Sequence, residues 1–215
     1  GNHVNQHNLI PPNHFIPVAE ESGMIIPIGE WVLARACQQA VNWINEGAHG
    51  LSISVNLSAR QFRDKHLIQK IEGILEQTGL PPAALNIEIT ETVMMEDMDS
   101  TITTLKRLRD KGIGIHVDDF GTGYSSFVYL KKFPVDVVKL DHTFMQDIVH
   151  DGDAGQLAAG MISMAKGLRL KVVAEGIETE EQLEFLLRHN CDKAQGFLFQ
   201  KPLQESEAKA YFMLM

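Results

Sequence analysis

The chain has 215 residues, with 19 Lys+Arg against 28 Asp+Glu and a formal charge of −9. That acidity argues against a general phosphate-backbone binder, so neither DNA nor RNA is expected as a partner. At 44% hydrophobic and 22% charged residues, the composition excludes disorder and suits one globular core within the size range of a single α/β barrel. No apolar run approaches the roughly 20 residues of a membrane helix, and the start GNHVNQHNLIPP lacks the layout of a signal peptide. A soluble, cytoplasmic domain is the expectation. Cys37 and Cys191 are far apart and sit in no metal-type spacing, which fits reduced thiols.

In chain order, the first clear element is a helical stripe of Leu33, Ala36, Cys37, Ala40, Val41 and Ile44, ended by Gly47. Strands are then predicted at Leu51–Asn56, Leu85–Thr90, Ile113–Asp118, Val135–Leu140, Leu170–Glu175 and Ala194–Leu198, each followed by a helical stretch. Turn punctuation at Gly79-Leu80-Pro81-Pro82, Gly112, Pro134 and Gly167 falls before several of them. Nothing marks a linker, so residues 1–215 read as one domain. Strands joined by helices are parallel, in an open doubly wound sheet or a closed barrel. Asn56, Glu88, Asp118 with Asp119, Lys139, Glu175 and Gln195 lie at or near the C-terminal ends of different strands. A barrel gathers such ends around one mouth, which favours a TIM-like (β/α)₈ barrel. Only six of its eight strands are legible, so the chain lacks roughly the first two or hides them within residues 1–28.

Glu88, Asp118, Asp119 and Glu175, converging beside Asn56, would repel one another unless cations lay between them. Hard oxygen ligands favour Mg²⁺ or Mn²⁺, with Ca²⁺ as a third choice, and no Cys or clustered His supplies a zinc site. Such a site suits hydrolysis of a phosphoester. Lys139 beside it could hold the attacking water or stabilise developing charge. The loop Asp118-Asp119-Phe120-Gly121-Thr122-Gly123-Tyr124-Ser125-Ser126 has glycines for a tight turn and small polar residues that let backbone N–H groups approach a phosphate.

VDDFGTGYSS, with Ser54-Val55-Asn56-Leu57-Ser58-Ala59, Glu88-Ile89-Thr90-Glu91, Val138-Lys139-Leu140-Asp141, Ala174-Glu175-Gly176-Ile177-Glu178-Thr179 and Gln195-Gly196-Phe197, resembles the EAL family of cyclic di-GMP phosphodiesterases. Phe15-Ile16-Pro17-Val18-Ala19-Glu20-Glu21 is similar to the family's FIPLAEE segment. The resemblance implies a TIM-like barrel that opens cyclic di-GMP to linear pGpG with two divalent cations. By position, Asn56, Glu88 and Asp118 correspond to metal ligands, Asp118 shared between the ions and Asp119 serving the second. Lys139 corresponds to the lysine that positions the nucleophilic water. Glu175 and Gln195 match residues around that water, and Glu175 is also a candidate general base. Glu91 and Glu178 match supporting acids, the former anchoring the loop after Asp119. The resemblance further implies a homodimer, and sensory or diguanylate cyclase-like domains linked in a parent protein with room for a membrane anchor.

The Glu-Ala-Leu motif itself, a metal ligand and its following arginine in the family, is absent, in keeping with the count of six strands. Two functions therefore compete: the phosphodiesterase, and a receptor or partner-binding scaffold without turnover. Degenerate relatives usually lose several later acids, and here none is lost, which favours the enzyme for the parent protein and weak or no activity for this chain alone. Among the remaining residues, His116 shares the face of Asp118 and is expected as a packed, hydrogen-bonded histidine. His3, His7 and His14 read as surface residues, and Met94, Met95, Met98, Met213 and Met215 as core or interface filler. Asp151-Gly152-Asp153 reads as an exposed turn.

Overall fold

The β-branched runs form strands because their side chains pack on a pleated surface, and the helices between them carry one apolar stripe each. In a computed structural model, which describes residues 10–122 and 127–212, two helices come first, α1 (Pro12–Ser22) and α2 (Ile25–Asn45). Strand β1 (Ile53–Asn56) leads through the single turn α3 (Ala59–Phe62) into α4 (Leu67–Thr78). Then come β2 (Leu85–Thr90), α5 (Glu91–Glu96) and α6 (Met98–Asp110). Strand β3 (Gly114–Phe120), the short α7 (Phe127–Leu130), β4 (Val137–Leu140) and α8 (Gly152–Gly167) follow. The chain closes with β5 (Lys171–Ala174), α9 (Glu180–Arg188), β6 (Lys193–Ala194) and α10 (Glu205–Phe212).

The described residues form one six-stranded sheet in the order β1-β2-β3-β4-β5-β6, and every neighbouring pair is parallel. Each crossover therefore advances one strand in the same direction, with no reversal. A doubly wound sheet reverses at a switch point; monotonic order is the winding of a barrel. All six expected strands are present, most of them shorter than expected. The region up to residue 28 holds no hidden strand from position 12 on, because Pro12–Ser22 and the start of α2 are helical. The last strand ends early: Leu198 N–H donates to Ile177 O at 3.0 Å and Phe199 N–H to Gly196 O at 3.1 Å, bending the chain out of the sheet.

Strand alternation separates two environments. Ile87, Ile89, Ile115, Val117, Val138, Leu140, Val172 and Ala174 are buried against the helices, in one cluster with Cys37 and Ala40 of α2, Leu105 and Leu108 of α6, and Ala158, Ile162 and Ala165 of α8. The alternate positions, Asn56, Glu88, Asp118, Lys139 and Glu175, are polar and share the opposite, inner face. Met94 is buried and Met95 and Met98 pack on the core, while Met213 and Met215, like His3 and His7, lie outside the described residues. His14 is exposed. Both cysteines are free thiols; Cys37 is fully buried and Cys191 half-buried. Asp151 is a helix cap, its carboxylate accepting from Asp153 N–H at the start of α8.

Two aspartates tie neighbouring strand starts together. Asp136 accepts from Ile115 N–H at 3.0 Å, and Asp192 accepts from Val172 N–H at 2.9 Å and from Lys166 Nζ at 3.0 Å. Burial pushes the Asp192 carboxyl up, but these donors outweigh it and hold it below its ordinary value. A carboxyl held low stabilises the fold above its unfolded-state value, and that contribution is lost as pH falls through the folded-state value. Asp192→Ala should therefore cost about 1–3 kcal/mol near neutral pH by orphaning a strand N–H. In paired melts the difference from wild type should narrow below about pH 4, the ordinary aspartate range.

Candidate active site

The strand ends bring the polar inner-face residues together around one ammonium group. Lys139 Nζ lies 2.9 Å from Glu88 Oε2, 3.0 Å from Asp118 Oδ1 and 2.8 Å from Glu175 Oε1, one acid from each of β2, β3 and the end of β5. Lysine and Glu88 are both buried, at 7% and 6% exposure. Parallel register delivers this convergence: Glu88 pairs with Asn56 on one side and His116 on the other, and Lys139 is level with Val173.

Asp118 and Asp119 are adjacent in sequence, so an ordinary strand would send them to opposite faces. The β3–β4 ladder slips between Val117 and Phe120, and Asp119 has φ of 52°. One extra residue on β3 forms a bulge there, the device by which a strand re-aims a side chain. As a result, carboxylate oxygens of Asp118, Asp119 and Glu175 lie within 4.8 Å of one another. The turn that follows is held from below: buried Glu91 accepts from Gly121 N–H at 2.9 Å, and Thr122 Oγ1 donates to Asp119 O at 2.8 Å. Gly123 to Ser126 of the glycine loop lie outside the described residues.

The surroundings push these acids apart. Burial works against the charge of Glu88, yet His116, Lys139 and Ser54 together overcome it and hold its carboxyl down at about 2. Burial raises Glu175, and the charges of Asp118 and Glu88 add to the rise against the pull of Lys139. Asp119 is raised by burial and then by Asp118 and Asp141. Burial pushes the Lys139 ammonium down, but its three carboxylate partners raise it well above the ordinary lysine value. Glu88 is thus the acid that keeps its charge more firmly, and Glu175 is the acid better disposed to take a proton.

The remaining residues occupy the rim. Asn56 ends β1 beside Glu88 and is exposed on the inner face. Gln195 bonds its backbone N–H to Ala174 O at 2.8 Å, next to Glu175, and its side chain is exposed. Glu178 is exposed on the turn before α9, its N–H donating to Gln182 Oε1. His116 is half-buried with Nδ1 3.4 Å from Glu88 Oε1, the hydrogen-bonded placement expected of it. Three residues have no role assigned from the sequence. Ser54 supports Glu88, and its position two before Asn56 was the available signal. Buried Asp141, two after Lys139, accepts from Thr143 N–H at 3.0 Å and His142 Nδ1 at 3.0 Å. Gln61, on α3, had no signal beyond its spacing from Ser58.

Three carboxylates against one ammonium leave two negative charges unbalanced, and Asp119 adds a third. All the converging donors are hard oxygens, and Asn56 adds a neutral one. That donor set suits a hard divalent cation better than a softer metal. Lys139→Met should leave Glu88 buried without its cation and lower stability by about 3–5 kcal/mol. Adding Glu88→Gln should recover part of that loss; a double variant that melts no higher than Lys139→Met contradicts the pairing.

Residues 2–202 match the family model described as the EAL domain. The bifunctional diguanylate cyclase/cyclic di-GMP phosphodiesterase MucR of Pseudomonas aeruginosa is 42% identical over 205 residues, 95% of this chain and 30% of MucR. The cyclic di-GMP phosphodiesterase PdeR of Escherichia coli is 36% identical over 198 residues, 92% of this chain and 30% of PdeR. The chain thus spans less than a third of these relatives. A solved structure of the PaMucR phosphodiesterase in complex with c-di-GMP superposes with a TM-score of 0.91 at 42% identity, covering 95% of this chain and 83% of that one. The EAL domain of Mycobacterium smegmatis DcpA gives a TM-score of 0.83 at 36% identity, covering 86% and 84%.

Proposed function

Because the chain belongs to the EAL domain family, we propose that its strand-end site hydrolyses cyclic di-GMP to linear pGpG as one module of a longer bacterial signalling protein. The observation that carries this is the convergence of Glu88, Asp118 and Glu175 on Lys139, with Asp119 drawn in beside Asp118 and Glu175, in a chain so similar to named cyclic di-GMP phosphodiesterases. Asn56, Glu88, Asp118 and Asp119 would hold two Mg²⁺ or Mn²⁺ ions, which supply charge neutralisation and polarise the phosphoryl oxygen.

The chain's own residues divide the remaining work. In the reaction a water oxygen bonds to phosphorus as one of its protons passes to a base, the P–O3′ bond breaks, and O3′ takes up a proton from solvent, so that one water is consumed. Glu175, raised by burial, is the base that takes the proton of the attacking water. Lys139 has three N–H donors and three acids in reach; released from at least one of those acids, it holds that water and stabilises charge on the phosphoryl group. Gln195 completes the water's surroundings. Glu91 keeps the turn after Asp119 in place through Gly121, and Glu178 supports the opposite loop. A homodimer, covalently linked sensory or diguanylate cyclase-like domains, and a cytoplasmic site of action complete the reading. Two free thiols support the last.

The test is a product assay with cyclic di-GMP and Mg²⁺ or Mn²⁺, run on this chain and on a form extended upstream through a Glu-Ala-Leu strand, with pGpG separated by chromatography. The extended form should turn over and this chain weakly or not at all. Lys139→Ala and Glu175→Ala should each lower the extended form's rate by ~10²-fold or more, and chelation should abolish it. Nucleotide binding without turnover in either form would replace the enzyme by a receptor.

A further inference from the structure

Asn56 ends β1, and the chain then turns immediately into α3, so whatever fixes that turn fixes Asn56. Two sets of hydrogen bonds hold it from within. Leu57 N–H donates to Glu88 O at 2.9 Å, and Ser58 caps α3 reciprocally with Gln61. Gln61 Oε1 accepts from Ser58 N–H at 3.2 Å and from Ser58 Oγ at 3.0 Å, while Gln61 N–H donates back to Ser58 Oγ at 3.3 Å. A capping glutamine usually lies in solvent; this one is only 7% exposed.

What buries it is α2. A Cβ placed on Gly29 would lie 1.9 Å from Gln61 Nε2 and 2.5 Å from its Cδ, so the amide rests directly on the bare backbone of that helix. The same segment is latched to the first two helices by its neighbours. Arg60 donates to the carbonyls of Glu20 and Glu21 at the end of α1, and Lys70 bridges Glu30 of α2 and Asp64.

We propose that Gln61 is a positioning residue for Asn56, and that Gly29 is the surface against which it is set. Seated on Gly29, the amide can reach both the N–H and the hydroxyl of Ser58, which locks the turn that follows Asn56, the strand partner of Glu88. The α1–α2 pair thereby sets one side of the cation site from behind the sheet. The inference rests on the reading of Asn56 as a cation ligand. Gly29→Ala tests it with little threat to folding, because the atoms that must move belong to a flexible side chain and alanine is a better helix former than glycine.

The experiment measures Mn²⁺ affinity of the full chain by electron paramagnetic resonance, with thermal melts run in parallel. Gly29→Ala and Gln61→Ala should each weaken Mn²⁺ binding by roughly 10-fold, the scale on which residues that orient a ligand act. The double variant should be no weaker than Gln61→Ala alone, since the alanine at 29 then has nothing to displace. Ser58→Ala, which removes only the hydroxyl, should move affinity in the same direction even if Gly29→Ala fails to fold. Affinity within twofold of wild type in these variants, while Asn56→Ala weakens it, overturns the positioning role. An Asn56→Ala variant that binds Mn²⁺ as wild type does, or a wild type that binds none, overturns the ligand reading and the inference with it.

Discussion

One ammonium group set among three carboxylates organises the inner face of this sheet. Lys139 touches Glu88, Asp118 and Glu175, and none of these charges would be tolerated at such burial alone. The interaction is incomplete by charge, because Lys139 offsets one of the negative charges gathered there and Asp119 brings another. That imbalance gives the site its use. A cluster fully neutralised by its own side chains would be a structural ion pair, whereas one left anionic is suited to hold divalent cations, as the proposed hydrolysis requires.

The fold supplies the geometry cheaply. Monotonic parallel order places every C-terminal strand end on the same rim, and the outer faces of the same strands are filled with Ile, Val and Leu buried against α2, α6 and α8. Rigid packing on one side thus fixes polar side chains on the other to within the pleat. Where the pleat would fail, at the consecutive aspartates of β3, a bulge with φ of 52° at Asp119 turns the second carboxylate back toward the first. Backbone strain of this kind persists only where its surroundings impose it, and here Glu91 and Thr122 hold the turn on either side.

Much of this was legible in the sequence, for physical reasons that can be named. The strands were visible because β-branched runs ended in turn residues, and the site because polar residues interrupted those runs near their C-terminal ends, as at Glu88, Lys139 and Glu175. The adjacent Asp118 and Asp119 were legible as residue types but not as neighbours on one face, since period-two alternation forbids it and a bulge leaves no local signature. Residues 12–22 were harder, because Pro17 within α1 masks a helix in sequence. The role of Gly29 could not be read at all: its meaning lies in contact with Gln61, thirty-two residues away, and a lone glycine in a helical stretch says nothing about what rests on it.

The most direct test of the central claim is a crystal structure of this chain grown with Mn²⁺ and cyclic di-GMP, with the metal located by anomalous scattering. The account requires Mn²⁺ within ligand distance of Asp118 and Asp119, with the scissile phosphate beside it and Lys139 turned from at least one of its carboxylates toward that phosphate. Manganese bound elsewhere, with Lys139 still held by Glu88, Asp118 and Glu175, would contradict it and leave the cluster a structural ion pair.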